Sequence, residues 1–267
     1  MTAHTPIHDS DARGVGIKIS GINMTFERRG SRVDVLNGID LTIGPRQFCS
    51  VLGPSGCGKS TLLMLVAGLY RPSAGTIRVG GEPLAGCYSD CGIVFQSDVL
   101  LPWRNVLENV LLPADVKRLP KAAATARARE LLEQVGLSGF ETHFPNELSG
   151  GMRQRASLCR ALLHEPAVLL MDEPFGSLDA LTRERMQLDL TKLGATDPRT
   201  VLFITHDIEE AVFLSDRVVV MSPRPAIILR QVEVDFPHPR TPEIRRSPQF
   251  HRIVDEIRQL FRETGVL

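Results

Sequence analysis

The chain has 267 residues, of which 43% are hydrophobic and 23% are charged, a composition typical of a soluble globular protein of one or two domains. Lysine and arginine together number 31, as do aspartate and glutamate, so a net charge near zero provides no whole-molecule attraction to nucleic acid or anionic lipid. Residues 1–11 have neither a basic start nor an apolar run, and no apolar run is long enough to cross a bilayer, so we expect a cytoplasmic protein without a secretory signal.

The first part of the chain has the pattern of an antiparallel sheet. Apolar residues alternate at Ile17 and Ile19 and again at Val33 and Val35, which is the period-two spacing of half-buried strands. We expect residues 1–16 to form a flexible N-terminus before this sheet.

A glycine-rich loop follows the apolar run 48–52 and precedes a helix predicted over residues 60–69. The loop fits the template G-x-x-x-x-G-K-[ST], in which backbone N–H groups close around the phosphates of a nucleotide. In this template Lys59 supplies a positive charge and the hydroxyl of Ser60 faces Mg²⁺. The pattern predicts a site for ATP or GTP with Mg²⁺ as the cofactor. The predicted nucleotide-binding residues of the loop are Gly53, Pro54, Ser55, Gly56, Cys57, Gly58, Lys59, Ser60 and Thr61.

The middle of the chain changes from strands to helices. Short strands are predicted near residues 76–79 and 92–95, whereas residues 121–135 are rich in the helix formers Ala, Leu, Arg and Glu. We expect an inserted helical subdomain over about residues 97–160.

A second phosphate-binding helix start is predicted at Ser149, Gly150 and Gly151, directly before a helix at residues 152–163. The free N–H groups and the dipole at a helix N-terminus favour an anion. The chain therefore has two separate segments that are suited to phosphate.

Two carboxylates, Asp172 and Glu173, follow an apolar strand predicted over residues 167–171. Open α/β sheets bind their ligands at the carboxyl ends of the strands, which is where these acids emerge. Asp172 is suited to hold Mg²⁺ through water, and Glu173 is suited to polarise the water that attacks the γ-phosphate. Further strands predicted over residues 200–204 and 217–221 alternate with helices, the pattern of a parallel sheet wrapped by helices.

The last part of the chain is interrupted by prolines and is expected to be extended until a helix near residues 250–264. This helix is amphipathic, because apolar residues such as Ile253 and Ile257 follow helical spacing. We therefore divide the chain into a domain at residues 17–234 and a proline-rich tail at residues 235–267.

These motifs resemble those of the ABC ATPases, and they occur in the order found in that family. The glycine-rich loop resembles the Walker A motif, and the strand with its two carboxylates resembles the Walker B motif. Segments at residues 148–152, 177–179 and 205–207 resemble the signature, the D-loop and the switch. The resemblance spans nearly the whole chain. It implies an α/β fold, namely a P-loop NTPase ABC cassette with a RecA-like parallel-sheet core, an N-terminal antiparallel β subdomain and an inserted α-helical subdomain.

In the ABC family two cassettes face each other head to tail, and each ATP lies between the Walker A motif of one cassette and the signature of the other. The resemblance implies such a homodimer here, in which Ser149, Gly150 and Gly151 contact the ATP held by the second copy.

The resemblance also implies roles for single residues. Gln96 would contact Mg²⁺ and sense the γ-phosphate, and His206 would contact the γ-phosphate as a catalytic residue together with Glu173. Two residues have alternative interpretations. Phe26 either stacks on the adenine ring or packs in the core, and Asp179 organises the ATP-bound dimer interface, caps the following helix, or does both.

Two classes of function are consistent with this family. In the first, the chain is the ATP-hydrolysing motor of a transporter, bound peripherally at the cytoplasmic face of the inner membrane. Its partners are then ATP, a transmembrane permease, a second copy of the chain and, indirectly, a solute-binding protein. In the second, it is a soluble ABC ATPase that acts on nucleic acid or the ribosome. Proteins of the second class have two cassettes in one chain, long coiled-coil insertions or zinc hooks, none of which occurs in this sequence. We therefore expect a transporter motor and no nucleic-acid partner.

Four short segments resemble those of the nitrate, sulfonate and taurine importers: residues 54–59, 101–103, 221–225 and 237–240. The resemblance implies uptake of a small organic or inorganic anion. Trp103 is either a hydrophobic anchor for the permease or a buried packing residue.

Overall fold

A computed structural model describes residues 15–28, 30–176, 178–196 and 199–264. Most of the predicted flexible N-terminus and Ser177 of the D-loop segment lie outside the described residues. No helix among the described residues combines the length and the apolar character needed to span a membrane.

An antiparallel sheet forms from the first strands of the chain. Its order is β2-β1-β4-β5. The strand predicted from Val33 and Val35 is longer than these two residues indicate and has 13 residues. The pairing of β1 with β2 shifts its register between Ile19 and Thr25, and such bulges let one bent strand keep its apolar residues on the core side. The strands are β1 (Ile17–Arg28), β2 (Ser31–Ile43), β4 (Ala74–Val79) and β5 (Glu82–Pro83).

A second sheet has the order β10-β9-β3-β8-β7-β6. All neighbours in it are parallel except β10, which pairs with β9 antiparallel. Strands β7 and β8 are buried along their whole length, which explains their uninterrupted apolar sequence. β10 was not predicted, because its residues stand among prolines and alternate only weakly. The strands are β3 (Phe48–Leu52), β6 (Cys91–Val94), β7 (Val168–Asp172), β8 (Thr200–Ile204), β9 (Arg217–Met221) and β10 (Ile228–Glu233).

The helices that were predicted with bounds agree with the structure to within a few residues at each end, whereas the helix at Val106–Lys117 was predicted only as part of the helical subdomain. The signature helix begins at Gly150, two residues before the predicted start, because the hydroxyl of Ser149 accepts a hydrogen bond from the N–H of Met152 at 3.3 Å and caps it. The helices are α1 (Lys59–Val66), α2 (Val106–Lys117), α3 (Lys121–Gln134), α4 (Gly150–Leu162), α5 (Ala180–Thr196), α6 (Ile208–Leu214) and α7 (Pro248–Glu263).

Helices α2 and α3 pack against α4 and form the helical part of the molecule between β6 and β7. Their buried faces are rich in alanine and leucine, and these residues belong to the same hydrophobic cluster as one side of the parallel sheet. The antiparallel sheet and α1 share the cluster on the opposite side. The parallel sheet is therefore the middle layer of the fold.

The proline-rich tail packs against the core. The guanidinium of Arg240 is buried and donates to the carbonyl of Ser215 at 3.0 Å. His238 contacts the carboxylate of Asp216 at 2.7 Å, and the other oxygen of that carboxylate accepts from the N–H of Phe48 at 2.8 Å. The apolar face of α7 lies on α6 within the main hydrophobic cluster. The sequence pattern that predicted an amphipathic helix therefore corresponds to a helix whose apolar side is covered.

We expect Ile257→Ala to lower the free energy of unfolding by about 2–5 kcal/mol, since its side chain is fully buried and its loss leaves a cavity. Urea-induced unfolding of the full-length chain measures the change. Arg252→Ala, on the exposed side of the same helix, is the matched control and should change stability by less than about 0.5 kcal/mol. Equal effects of the two substitutions would contradict the packing of α7.

Candidate nucleotide-binding and hydrolysis site

The glycine-rich loop joins the carboxyl end of β3 to the start of α1. Lys59 is only 5% exposed, and its ammonium group donates to the carbonyls of Gly53 at 2.9 Å and Pro54 at 3.1 Å. Gly58 has a φ of 124°, and a Cβ there would lie 2.8 Å from a methyl of Val35 on β2. The loop therefore requires glycine at this position, both for its backbone conformation and for the close approach of β2.

Cys57 contributes its backbone to the loop but directs its side chain inward. Its thiol is buried beside Gly53, and a Cβ on Gly53 would lie 3.0 Å from the sulfur. Burial raises the pKa of the Cys57 thiol, while the charge of Lys59 partly opposes this effect. The nucleotide-binding role that was predicted for Cys57 therefore belongs to its backbone peptide group and not to its thiol.

Asp172 and Ser60 meet where β7 ends beside the start of α1. The Ser60 hydroxyl donates to a carboxylate oxygen of Asp172 at 3.0 Å. Burial raises the pKa of Asp172, and the hydrogen bond from Ser60 acts in the opposite direction. These are oxygen ligands of the kind that Mg²⁺ uses, and Mg²⁺ at a nucleotide needs one or two carboxylates in addition to phosphate and water. The part of the chain that the structure describes contains no cluster of three or more His, Cys, Asp or Glu residues suited to a metal.

The side chain of Glu173 contacts residues from two other loops. One of its carboxylate oxygens lies 3.1 Å from Nδ1 of His206 and 3.5 Å from the side-chain nitrogen of Gln96. Its backbone has a φ of 45°, which is unfavourable for a residue with a side chain. The N–H of Glu173 donates to the carbonyl of Ile204 at 2.9 Å, and this bond helps to hold the conformation. Gln96, Glu173 and His206 follow β6, β7 and β8, so three adjacent parallel strands bring them together.

A pocket of about 480 Å³ contains most of the predicted nucleotide-binding residues. Its hydrophobic wall is formed by Phe26 on β1 with Val33 and Val35 on β2. Phe26 is 37% exposed, and its ring meets that of Tyr70 edge-on with centroids 5.7 Å apart. The alternative of core packing is therefore wrong for Phe26, which presents its ring to the pocket. The other predicted residues that line the pocket are Ser55, Gly56, Gly58, Lys59, Ser60, Thr61, Gln96 and Glu173.

Arg224 lines the same pocket, and the sequence interpretation did not include it among the site residues. Two nitrogens of its guanidinium donate to the carbonyl of Gly56, one of them at 3.1 Å. Because a trans peptide directs its C=O and N–H to opposite sides, this contact keeps the N–H of Cys57 directed into the loop, where it donates to Pro54. The segment with Arg224 is itself tied to β2, since the N–H of Ala226 donates to the carbonyl of Val35 at 2.9 Å. The sequence signals at Arg224 were its position between two prolines and its place in the segment 221–225, which resembles the importers, and neither indicates a contact with the glycine-rich loop.

The signature segment is not part of this pocket. Among the described residues that line the pocket, Ser149, Gly150 and Gly151 are absent. Gly151 lies instead beside the start of α5, where a Cβ on it would approach Leu178 to 3.1 Å. The structure therefore separates the two phosphate-binding segments of one chain.

Asp179 caps α5, as one of its two interpretations predicted. Its carboxylate accepts from the N–H of Thr182 at 3.0 Å. Hydrogen bonds from Thr182 lower the pKa of this exposed carboxylate. The capping role does not exclude a contact with a second copy, because the side chain is at the surface.

Comparisons with known proteins give the family. The family model for the ABC transporter matches residues 36–176, which is more than half of the chain. The chain belongs to the ABC transporter family. An uncharacterized ABC transporter ATP-binding protein of Methanocaldococcus jannaschii is 44% identical over 240 residues, covering 90% of each protein. The taurine import ATP-binding protein TauB of Pseudomonas aeruginosa (strain UCBPP-PA14) is 45% identical over 237 residues, covering 87% of this chain and 90% of that protein.

Solved structures agree with this result. A dimeric bacterial ABC transporter cassette, MJ0796, has a TM-score of 0.76 at 32% identity, covering 82% of this chain and 99% of the other. A dimeric post-hydrolysis state of that cassette bound to ADP and phosphate has a TM-score of 0.75 at 31% identity, with the same coverage. The α/β cassette fold predicted from the motifs is confirmed. The chain is an ABC-type transport ATPase, and the transporter class of function is favoured over action on nucleic acid or the ribosome.

We expect Arg224→Ala to weaken ATP binding by about 3- to 10-fold, because it removes charged hydrogen bonds that orient the glycine-rich loop. Titration with ATP by isothermal calorimetry measures the dissociation constant. Arg230→Ala, on β10 outside the pocket, is the matched control and should leave the constant unchanged. An unchanged constant in Arg224→Ala would contradict the role of this residue in shaping the loop.

Proposed function

We propose that the chain is the ATP-hydrolysing motor subunit of an importer, and that Glu173 and His206 are its catalytic residues. The observation that carries the proposal is the meeting of Gln96, Glu173 and His206 beside the pocket formed by the glycine-rich loop. A carboxylate next to a histidine and an amide at the γ-phosphate end of such a loop is an arrangement that activates water for attack on phosphorus.

Each residue of the site has a part in this chemistry. Backbone N–H groups of the loop and the ammonium of Lys59 bind the β- and γ-phosphates, and the ring of Phe26 supports the base. Ser60, Asp172 and Gln96 would hold Mg²⁺, which when bound neutralises charge on the phosphates. Glu173 accepts a proton from the attacking water, and His206 holds the Glu173 carboxylate in place while it contacts the γ-phosphate.

A second copy of the chain would complete the site. Gly150 and Gly151 start α4, where N–H groups and the helix dipole suit a phosphate, yet they lie outside the pocket of their own chain. A head-to-tail homodimer would bring the signature of one copy to the γ-phosphate bound by the other. The dimeric cassettes to which the chain is similar support this arrangement. ATP and ADP would then differ in their affinity for the closed dimer, which is the difference that drives a conformational cycle.

The permease is proposed to bind near Trp103. The side chain of Trp103 is 72% exposed, so the alternative of a buried packing residue is wrong. The loop that carries it is held by hydrogen bonds, because the buried amide of Asn109 donates to the carbonyls of Leu101 at 3.1 Å and Arg104 at 2.9 Å. An exposed aromatic ring on a fixed loop is the kind of residue that dominates a binding interface. It follows Gln96 closely in the chain, so the interface would adjoin the nucleotide site.

We assign taurine or a related small sulfonate as the solute class. The support is the similarity to taurine import ATP-binding proteins, at 42% to 48% identity over most of the chain in several bacteria. Such a subunit would act as a peripheral protein on the cytoplasmic face of the inner membrane, and a solute-binding protein would supply the solute to the permease.

We expect Glu173→Gln to bind ATP but to hydrolyse it about 10²–10⁴-fold more slowly, since it removes a positioned general base. Steady-state phosphate release and gel filtration with ATP measure turnover and dimer formation, and the variant should accumulate as an ATP-bound dimer. Glu82→Gln, an exposed carboxylate on β5, is the matched control and should keep full turnover. A Glu173→Gln protein that hydrolyses ATP normally and stays monomeric would contradict the assignment.

We expect Trp103→Ala to weaken association with the permease by about 30-fold, the size of effect typical of a central aromatic residue at an interface. Co-purification of the full-length chain with its permease measures the loss, and ATP binding by the isolated chain should not change. Leu69→Ala, which also removes an exposed apolar side chain, should leave co-purification intact. Retention of the permease by Trp103→Ala would contradict the docking surface.

A further inference from the structure

A line of hydrogen bonds leads from the proline-rich tail to the switch segment. It starts at Arg245 in the short 3-10 helix Pro242–Arg246, whose guanidinium donates to the side-chain oxygen of Gln187 on α5. The amide nitrogen of Gln187 donates to one oxygen of the Glu210 carboxylate at 2.8 Å. The other oxygen of Glu210 accepts from the hydroxyl of Thr205, which directly precedes His206.

Glu210 lies at the centre of this line and is buried on α6. Burial raises the pKa of its carboxyl group, and the hydrogen bonds from Thr205 and Gln187 act in the opposite direction. Two charged side chains also act on the Glu210 carboxyl group: Asp207 raises its pKa further, and Arg183 lowers it. A buried carboxylate depends on such donors, because each unmet hydrogen bond in the interior is costly. The orientation of Gln187 and Thr205 is therefore energetically important.

Arg245 determines the orientation of the Gln187 side chain. An arginine can only donate, so the amide oxygen of Gln187 must face it and the amide nitrogen must face Glu210. The guanidinium is itself fixed, since it stacks on the ring of Phe213 with its central carbon 4.2 Å from the centroid. Phe213 is fully buried on α6, between Glu210 and the end of the helix.

The other end of the line fixes the turn that carries His206. The hydroxyl of Thr205 donates to Glu210 and also accepts from the N–H of Asp207 at 3.0 Å. Asp207 in turn caps α6 by accepting from the N–H of Glu210 at 3.1 Å. In the chain His206 lies between Thr205 and Asp207, which are both hydrogen-bonded to Glu210. The ring of His206 contacts Glu173.

We infer that Arg245 is a positioning residue for ATP hydrolysis, which acts through Gln187 and Glu210 to hold His206 against the Glu173 carboxylate. The inference rests on the proposed role of His206 in hydrolysis. It gives the tail a function within the ATPase domain: the segment after β10 supplies the outermost member of a network that ends at the reacting groups.

The test compares Arg245→Met with Arg246→Met in the full-length chain. Methionine keeps an apolar stem on Phe213 but cannot donate to Gln187, whereas Arg246 is an exposed neighbour in the same 3-10 helix. We expect Arg245→Met to lower kcat for ATP hydrolysis about fivefold with an unchanged KM, the effect of one lost hydrogen bond in the network. Arg245→Lys retains a donor and should recover part of the lost turnover. Arg246→Met should behave as the unsubstituted protein.

Amide hydrogen exchange provides a second measurement that does not depend on activity. A peptide covering residues 204–212 should exchange faster in Arg245→Met and not in Arg246→Met, because Thr205 and Asp207 lose part of their restraint. In the double variant with Gln187→Leu, the effects on kcat should be less than additive, since both substitutions break the same line of hydrogen bonds.

Two outcomes would overturn the inference. One is an unchanged kcat and exchange rate in Arg245→Met. The other is a lower thermal midpoint with full turnover per folded molecule, which would assign Arg245 to stability alone. The proposed function fails separately: if His206→Ala keeps full turnover, then His206 is not catalytic, whatever the hydrogen exchange of Arg245→Met shows about the network.

Discussion

Parallel alignment of the central strands is the constraint on which the site depends. Strands β9, β3, β8, β7 and β6 are consecutive neighbours that run in one direction, so the loops at their carboxyl ends all emerge along one edge. The groups at the carboxyl ends of these five strands stand in the same spatial order: Arg224, the glycine-rich loop, His206, the pair Asp172 and Glu173, and Gln96. The sheet therefore brings residues that are far apart in the sequence to within about a hydrogen-bond length of one another.

Burial sets the chemical character of the groups at this edge. The side chains of Lys59 and Asp172 are both buried. Two backbone carbonyls accept hydrogen bonds from the Lys59 ammonium, and the Ser60 hydroxyl donates to the Asp172 carboxylate. A bound nucleotide and its metal would replace these contacts. Glu173 keeps a backbone conformation that costs free energy and is secured by a bond to β8. The protein's own contacts therefore hold these groups in position, which is the condition for strong electrostatic stabilisation.

The tail is integrated with this site although it follows the last parallel strand. Its prolines direct the chain across the carboxyl end of α6, where Arg240 satisfies backbone carbonyls in the interior and α7 covers the apolar face of α6. The same segment brings Arg245 to Gln187. A region that resembles a linker by composition thus contributes buried contacts, since prolines limit the backbone without preventing side chains from packing.

The sequence by itself determined most of the element types, the position of the glycine-rich loop, the two carboxylates after an apolar strand, and the family, because these are local patterns of glycine, charge and period; strand β10, which stands among prolines, is an exception. The sequence could not determine the roles of Phe26, Trp103 and Arg224, because these roles depend on which other elements lie beside each residue. The tertiary structure decided that Phe26 faces the pocket, that Trp103 is exposed, and that the signature segment lies outside the pocket of its own chain. It also decided that the tail reaches the switch segment. The physical reason is that exposure and convergence are set by the order of strands in a sheet, and neighbouring residues in the chain do not encode that order.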